Sequence, residues 1–157
     1  KDETIAVKIP KGIDTGSKIR VAGKGEAGTG GAHPGDLYII TRVRPHHFFE
    51  RKGDNLYSEI PISYAEAALG AKIEVPTVDG IVALTIPSGT QNGQQFRLKD
   101  KGVPHLTGGG SGDHYITVRI AVPKHIDDKA RQLIKDLDKI SKENPRADIT
   151  FKGFRKR

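Results

Sequence analysis

Residues 21–40, "VAGKGEAGTGGAHPGDLYII", hold three glycines at the spacing that lets a backbone approach a pyrophosphate. Gly23, Gly25 and Gly28 spell G-x-G-x-x-G, and His33-Pro34-Gly35-Asp36 follows a few residues on. A dinucleotide fingerprint needs a strand before it and a helix opening at its end, so that helix N–H groups face the phosphates. Here the chain continues "TGGAHPGD", which cannot open a helix. The P-loop pattern G-x-x-x-x-G-K-[ST] does not occur in the sequence. The segment therefore reads as a hairpin loop and not as a nucleotide site.

The other chemistry-bearing residues are equally sparse. His46 and His47 are adjacent, but no Cys, Asp or Glu stands at a familiar ligand spacing around them, so a linker or interface role is expected. There are no cysteines, which excludes disulfides, thiolate zinc sites and cysteine nucleophiles within these residues. Ser88 lies in a turn and not in a strand-turn-helix elbow, and Asp127-Asp128 read as a helix cap. No catalytic constellation emerges, and the chain is not expected to be an enzyme. Phe48-Phe49, in "RPHHFFERKGDNL", are apolar without catalytic neighbours. Either they pack a junction, or one lines a groove where an extended peptide adds to a sheet edge. The residues alone favour packing.

The elements that position these residues must be short. Hydrophobic residues make up 35% and aromatics 6% of the 157 residues, lean for one large core, and 19 glycines with 9 prolines imply many turns. One domain or two small ones fit that length. Lys and Arg outnumber Asp and Glu by 26 to 19, giving +7, but the positive charges are scattered apart from "FRKR" at the end. Scattered charge reads as a solvated surface. Nucleic acid is kept as the alternative partner. No apolar run approaches the roughly 20 residues of a membrane helix.

A repeat organises the chain. With Ile9-Pro10 set on Ile86-Pro87, an offset of 77 residues, "IPKGIDTGSKIRVAGKGEAGTGGAHPGDLYIITR" lies without a gap over "IPSGTQNGQQFRLKDKGVPHLTGGGSGDHYITVR". Arg20 meets Arg97, Lys24-Gly25 meets Lys101-Gly102, and Gly35-Asp36 meets Gly112-Asp113. Asp100 replaces Gly23 and His105 replaces Gly28, so two of the three fingerprint glycines are absent from the second loop. Each copy predicts a strand (4–9; 81–86), a glycine turn, a short strand (18–22; 95–99), a loop, and a strand from Asp36 or Asp113. Period-two alternation between close turns predicts antiparallel sheet.

Only the second copy is preceded by residues 55–80, read as a strand, an Ala-rich helix from about Ser63 to Leu69, a further strand and a turn. Either the first copy is truncated at its N-terminus or it borrows a partner's edge; truncation is expected, and the missing initial Met fits a processed chain or a fragment. After Pro123, Asp127 or Asp128 caps a helix expected to end near Asn144. Its apolar positions Ala130, Leu133, Ile134, Leu137 and Ile140 follow helical spacing. Spacing alone points that face toward intrachain packing. The basic tail carries Phe151 and Phe154 as apolar anchors.

The run from "VKIPKGIDTGSKIRVAGKGEAG" through "RPHHFFERKGDNLYSEIPISYAEAALGAKIEVPTVDG" to "IPSGTQNGQQFRLKDKGVP" and "GDHYI" resembles the C-terminal substrate-binding region of DnaJ-type co-chaperones. The resemblance covers about residues 4 to 140. It implies a mainly β chain of two tandem, similar β-sandwich domains, the first (1–47) a peptide-binding domain lacking its opening strands and the second 48–124. A dimerisation helix and basic tail (125–157) would follow. It also implies binding of unfolded client polypeptides, delivery to a DnaK-type ATPase chaperone, a homodimer and a cytoplasmic location. Phe49 takes a peptide-groove role by this resemblance, and Leu133, Ile134, Leu137 and Ile140 become a dimer surface. Full-length members carry a J-domain with His-Pro-Asp; His33-Pro34-Gly35-Asp36 has an extra residue and lies in a sheet loop. No cofactor is implied for this chain, since the zinc of some members belongs to an upstream cysteine-rich domain not present here. Some relatives of the family bind nucleic acid, which gives the alternative reading, a basic DNA- or RNA-binding module of a DnaJ-like nucleoid-associated protein.

Overall fold

The structure is a computed structural model that describes residues 2–154. The tail residues Arg155, Lys156 and Arg157 of "FRKR" lie outside the described residues. Two compact units form, residues 1–121 and residues 122–157.

Within the first unit the alternation of the sequence becomes a small β-sandwich. One sheet has the order β3-β4-β8-β7, from β3 (Glu50–Lys52), β4 (Asn55–Ser63), β8 (His114–Ala121) and β7 (Gln95–Leu98). The facing sheet is the hairpin β5 (Ala71–Thr77) and β6 (Gly80–Ile86). Ile60 and Ile62 of β4, Val75 of β5, Leu84 and Ile86 of β6, and Ile116 and Val118 of β8 make the core between them. Each such side chain contributes about 1.5–3 kcal/mol when fully buried. Glu59, Pro61, Glu74, Thr85 and Arg119 alternate with them and stay exposed. The helix α1 (Tyr64–Leu69) closes one end, with Ala67 buried. Its start is a capping box: Glu66 N–H donates to Ser63 Oγ at 3.0 Å, and Ser63 N–H donates to Glu66 Oε1 at 2.8 Å.

Three expectations are corrected. The sheet is mixed, because β4 and β8 run parallel from Leu56↔His114 to Ser63↔Ala121. A long crossover carrying α1, β5–β6 and β7 joins them, and only such a connection lets two strands of one sheet run parallel. Residues 4–9 form no strand. Their counterpart, β6, pairs with β5, whereas no strand pairs with residues 4–9 among the described residues. The C-terminal helix α2 (Asp128–Ile140) stops four residues short of Asn144, capped at its start by Asp127, whose carboxylate accepts from Ala130 N–H at 2.7 Å.

The repeat holds at the level of single hydrogen bonds. In the first copy β1 (Lys18–Val21) pairs antiparallel with β2 (Leu37–Ile40). Asp36 accepts from Arg20 Nε at 2.6 Å and from Gly23 N–H at 3.0 Å. Asp113 accepts from Arg97 Nε at 2.7 Å and from Asp100 N–H at 2.9 Å. These bonds hold both carboxylates below the usual Asp range, the backbone donor being the larger cause in each. Gly23 and Asp100 both sit at positive φ, 69° and 60°, and Asp is among the few residues that tolerate it. The first fingerprint glycine therefore shapes this loop turn.

The two copies also touch. Arg51 of β3 donates to the carbonyls of Ile13 (2.7 Å) and Gly12 (2.9 Å) in the first copy's turn. Gly12 has φ of 82°, and a Cβ there would collide with the Pro104 carbonyl oxygen of the second copy. Gly16 has φ of 88° but open space around it. Gly16→Ala is expected to cost about 1 kcal/mol from backbone strain alone, whereas Gly12→Ala adds the collision and should cost roughly 2–4 kcal/mol. Urea unfolding measures both, and equal losses would mean that the Gly12–Pro104 contact does not form.

Candidate functional site

The chain reaches β3 through the bend His46-His47-Phe48-Phe49, and this bend determines where the sheet edge opens. β3 is short and pairs only Glu50–Lys52 with Asn55–Tyr57. β4 runs on from Ser58 to Ser63 with no strand beside it on that side among the described residues. Leu56 N–H donates toward β8, to Asp113 O at 2.9 Å. Strand alternation then turns the backbone groups of Glu59 and Pro61 toward the open side. Pro61 has no N–H to offer there, a usual guard on an edge strand. At the point where β4 loses its neighbour lies a cleft of about 460 Å³, lined by residues including His46, Phe49, Tyr57, Ser58, Glu59 and Thr117.

Phe49 is half-buried in that cleft, edge-on to Phe48 (4.9 Å) and to His114 (5.3 Å). It thus stands on the second copy's sheet and not on the β1–β2 hairpin. Phe48 packs against the sandwich core. On the outer sheet face Tyr57 stacks on Tyr115 at 5.2 Å, with the Lys52 ammonium 5.0 Å from the Tyr57 ring. His114 is fully buried, its Nε2 2.7 Å from the Ser58 hydroxyl, and its Nδ1 has no hydrogen-bond partner. Burial alone pushes its pKa below the ordinary imidazole value. Sequence reasoning gave His114 no role, because its counterpart in the first copy is the apolar Leu37 and its burial is decided by distant strands. The one available signal was its position as the first inward residue of an alternating strand.

The other proposed site residues lie in the second unit. Leu133, Ile134, Leu137 and Ile140 share one face of α2 and remain 46–74% exposed, and α2 buries no residue. Among the described residues, no group of three or more His, Asp or Glu side chains is placed to hold a metal ion. No described helix is long and apolar enough to cross a membrane.

The family model described as "DnaJ C terminal domain" matches residues 1–123. The chain belongs to the DnaJ C-terminal domain family. "Chaperone protein DnaJ" of Geobacillus thermodenitrificans is 54% identical over 143 residues, covering 91% of this chain and 38% of that relative. The proteins of the same name from Brevibacillus choshinensis and Halothermothrix orenii are 52% and 53% identical, each covering 90% of this chain and 38% of the relative. The chain thus spans less than two-fifths of the length of these curated relatives. The two-sheet core and the doubled Asp–Arg loop both lie within the matched residues.

The buried His114 sets an acid limit on this unit. Its folded-state pKa lies below the ordinary value of about 6.5, so below that pH the unfolded chain takes up a proton that the folded chain resists. The stability is complete above about pH 6.5 and is lost as pH falls toward the folded value. The urea midpoint should drop between about pH 7.5 and 5.5. His114→Gln, which keeps a polar partner for Ser58 and does not titrate, should flatten that slope; an unchanged slope would rule out His114 as its source.

Proposed function

We propose that this chain binds extended apolar segments of unfolded proteins, keeps them from aggregating and passes them to a DnaK-type ATPase chaperone. The observation that carries this reading is the open edge of β4 beside Phe49. An extended client has unpaired N–H and C=O groups, and the edge presents the Glu59 N–H with the Glu59 and Pro61 carbonyls. Phe49 offers an aromatic surface for an apolar client side chain at the same place. The curated relatives are named as chaperones, which supports the same reading. ATP hydrolysis belongs to the partner, so the chain needs no cofactor and performs no catalysis of its own.

In this reading residues 1–47 are the C-terminal part of a first, peptide-binding sandwich domain, residues 48–124 are a second sandwich of the same kind, and residues 125–157 are the pairing element. The exposed face Leu133, Ile134, Leu137 and Ile140 seats a second copy of α2, making a homodimer in the cytoplasm. Two client arms joined in this way bind with avidity although each contact is modest.

Two measurements test it. Phe49→Ala should weaken binding of an unfolded client by roughly tenfold, the scale of one truncated aromatic contact, read by fluorescence anisotropy; unchanged affinity removes Phe49 from the site. A chain ending at Val122 should sediment as a monomer where the full chain sediments as a dimer. A dimer that persists without α2 overturns its pairing role.

A further inference from the structure

Phe49 is held through its backbone as well as its ring. The His46 imidazole turns back on its own chain, and its Nδ1 accepts hydrogen bonds from Phe48 N–H (3.0 Å) and Phe49 N–H (3.3 Å). This is the i+2, i+3 pattern by which an Asn or Asp side chain closes a local turn, here with a ring nitrogen in place of the carbonyl oxygen. The same ring stacks on His47 at 4.4 Å and leans on Phe49 at 4.9 Å. On its far side Phe49 meets buried His114, which Ser58 holds. One exposed imidazole therefore fixes the bend that presents Phe49 at the open edge of β4.

The geometry points to His46 as a positioning residue that makes the Phe49 cleft acid-sensitive, the bend holding only while His46 Nδ1 carries no proton. This inference rests on reading the cleft as the client site. A neutral imidazole has one accepting nitrogen, and here its lone pair serves two backbone N–H groups. A proton on that nitrogen turns the acceptor into a donor facing two donors, and both bonds are lost.

The surrounding charges do not change that outcome. Glu50 and Lys52 of β3 and Glu59 of β4 are the charged groups that line the cleft, with Tyr57 in its wall. His47 stacks on the ring. None of them supplies a replacement acceptor to the Phe48 and Phe49 amides. Client binding should accordingly be strong while that nitrogen accepts and weaken when acid protonates the ring.

The test uses the full chain and a rhodamine-labelled peptide of Leu, Val and Ser, which carries no group titrating in this range. Affinity is read by anisotropy between about pH 7.5 and 5.5. The wild-type chain should lose roughly tenfold or more, the scale of two lost hydrogen bonds. His46→Asn places a non-titrating acceptor the same number of bonds from the backbone. It should bind like wild type at neutral pH and keep that affinity in acid. His46→Ala should bind roughly tenfold more weakly throughout. Where acid does weaken wild-type binding, wild-type affinity in His46→Ala or an undiminished acid loss in His46→Asn overturns the proposal. The Phe48 and Phe49 amide signals in NMR, followed without peptide, separate this inference from the client-site reading. They should move with pH in wild type and stay fixed in His46→Asn. If they do so while affinity never changes, the cleft is not the client site but His46 still sets the bend. If they stay fixed in wild type, the His46 role fails whatever the affinity does.

Discussion

The parallel pairing of β4 with β8 is the constraint on which the rest of the first unit depends. Eight residue pairs lie side by side, from Leu56↔His114 to Ser63↔Ala121, and both strands turn one face to the core. Parallel neighbours cannot be joined by a tight turn, so the chain must leave β4, travel, and return at the same end. The excursion carries α1, the β5–β6 hairpin and β7. It also supplies the layer that covers the core, since Val75, Leu84 and Ile86 come from it. The sandwich is thus a consequence of how β4 and β8 are connected. Removing the pair would leave two-stranded ribbons, which are marginal in water.

The same pairing explains where the surface is left open. β8 satisfies one side of β4 along its length, while β3 satisfies the other for three residues only. Beside the end of β3 stands the His46–Phe49 bend in place of another strand. The open edge, the aromatic ring and the cleft are therefore one feature seen three ways. Arg51, on the same short strand, reaches the opposite way to the first copy's turn. β3 thereby links the contact between the repeats to the place where the edge opens.

Much of this was legible because the repeat carried its own control. Setting Gly23 against Asp100 disposes of the nucleotide motif by residue type alone, and both residues occupy the same positive-φ turn. Asp36 and Asp113 were visible as strand starts; that each locks an arginine and a backbone N–H was not, because spacing does not say where a carboxylate points. The helix start near Ser63 and a cap at Asp127 or Asp128 were readable, since a helix start is set by local interactions. The parallel pair was not, because alternation gives the face of a residue and not the direction of its neighbour. Residues 4–9 alternate like β6 yet form no strand, for a ladder needs a partner as well as a pattern. His114 escaped notice because burial is decided by distant strands. Its missing Nδ1 partner has no sequence signature at all.

The openness of the β4 edge also limits its strength. Beyond β3, the alternation leaves one N–H, at Glu59, and the carbonyls of Glu59 and Pro61 facing outward; the Ser63 N–H is already taken by Glu66. A visiting strand thus finds few backbone bonds, each worth about 1 kcal/mol net. Such an edge does not hold another chain permanently, and Pro61 further shortens the register available to an aggregating strand. In the proposed client-binding role, side-chain contact at Phe49 would then supply much of the affinity. The placement of that ring, and not the length of the edge, would be the quantity on which binding turns. Weak binding by a single arm would suit the proposed hand-over of a client, and a second arm in the proposed dimer would offset the weakness.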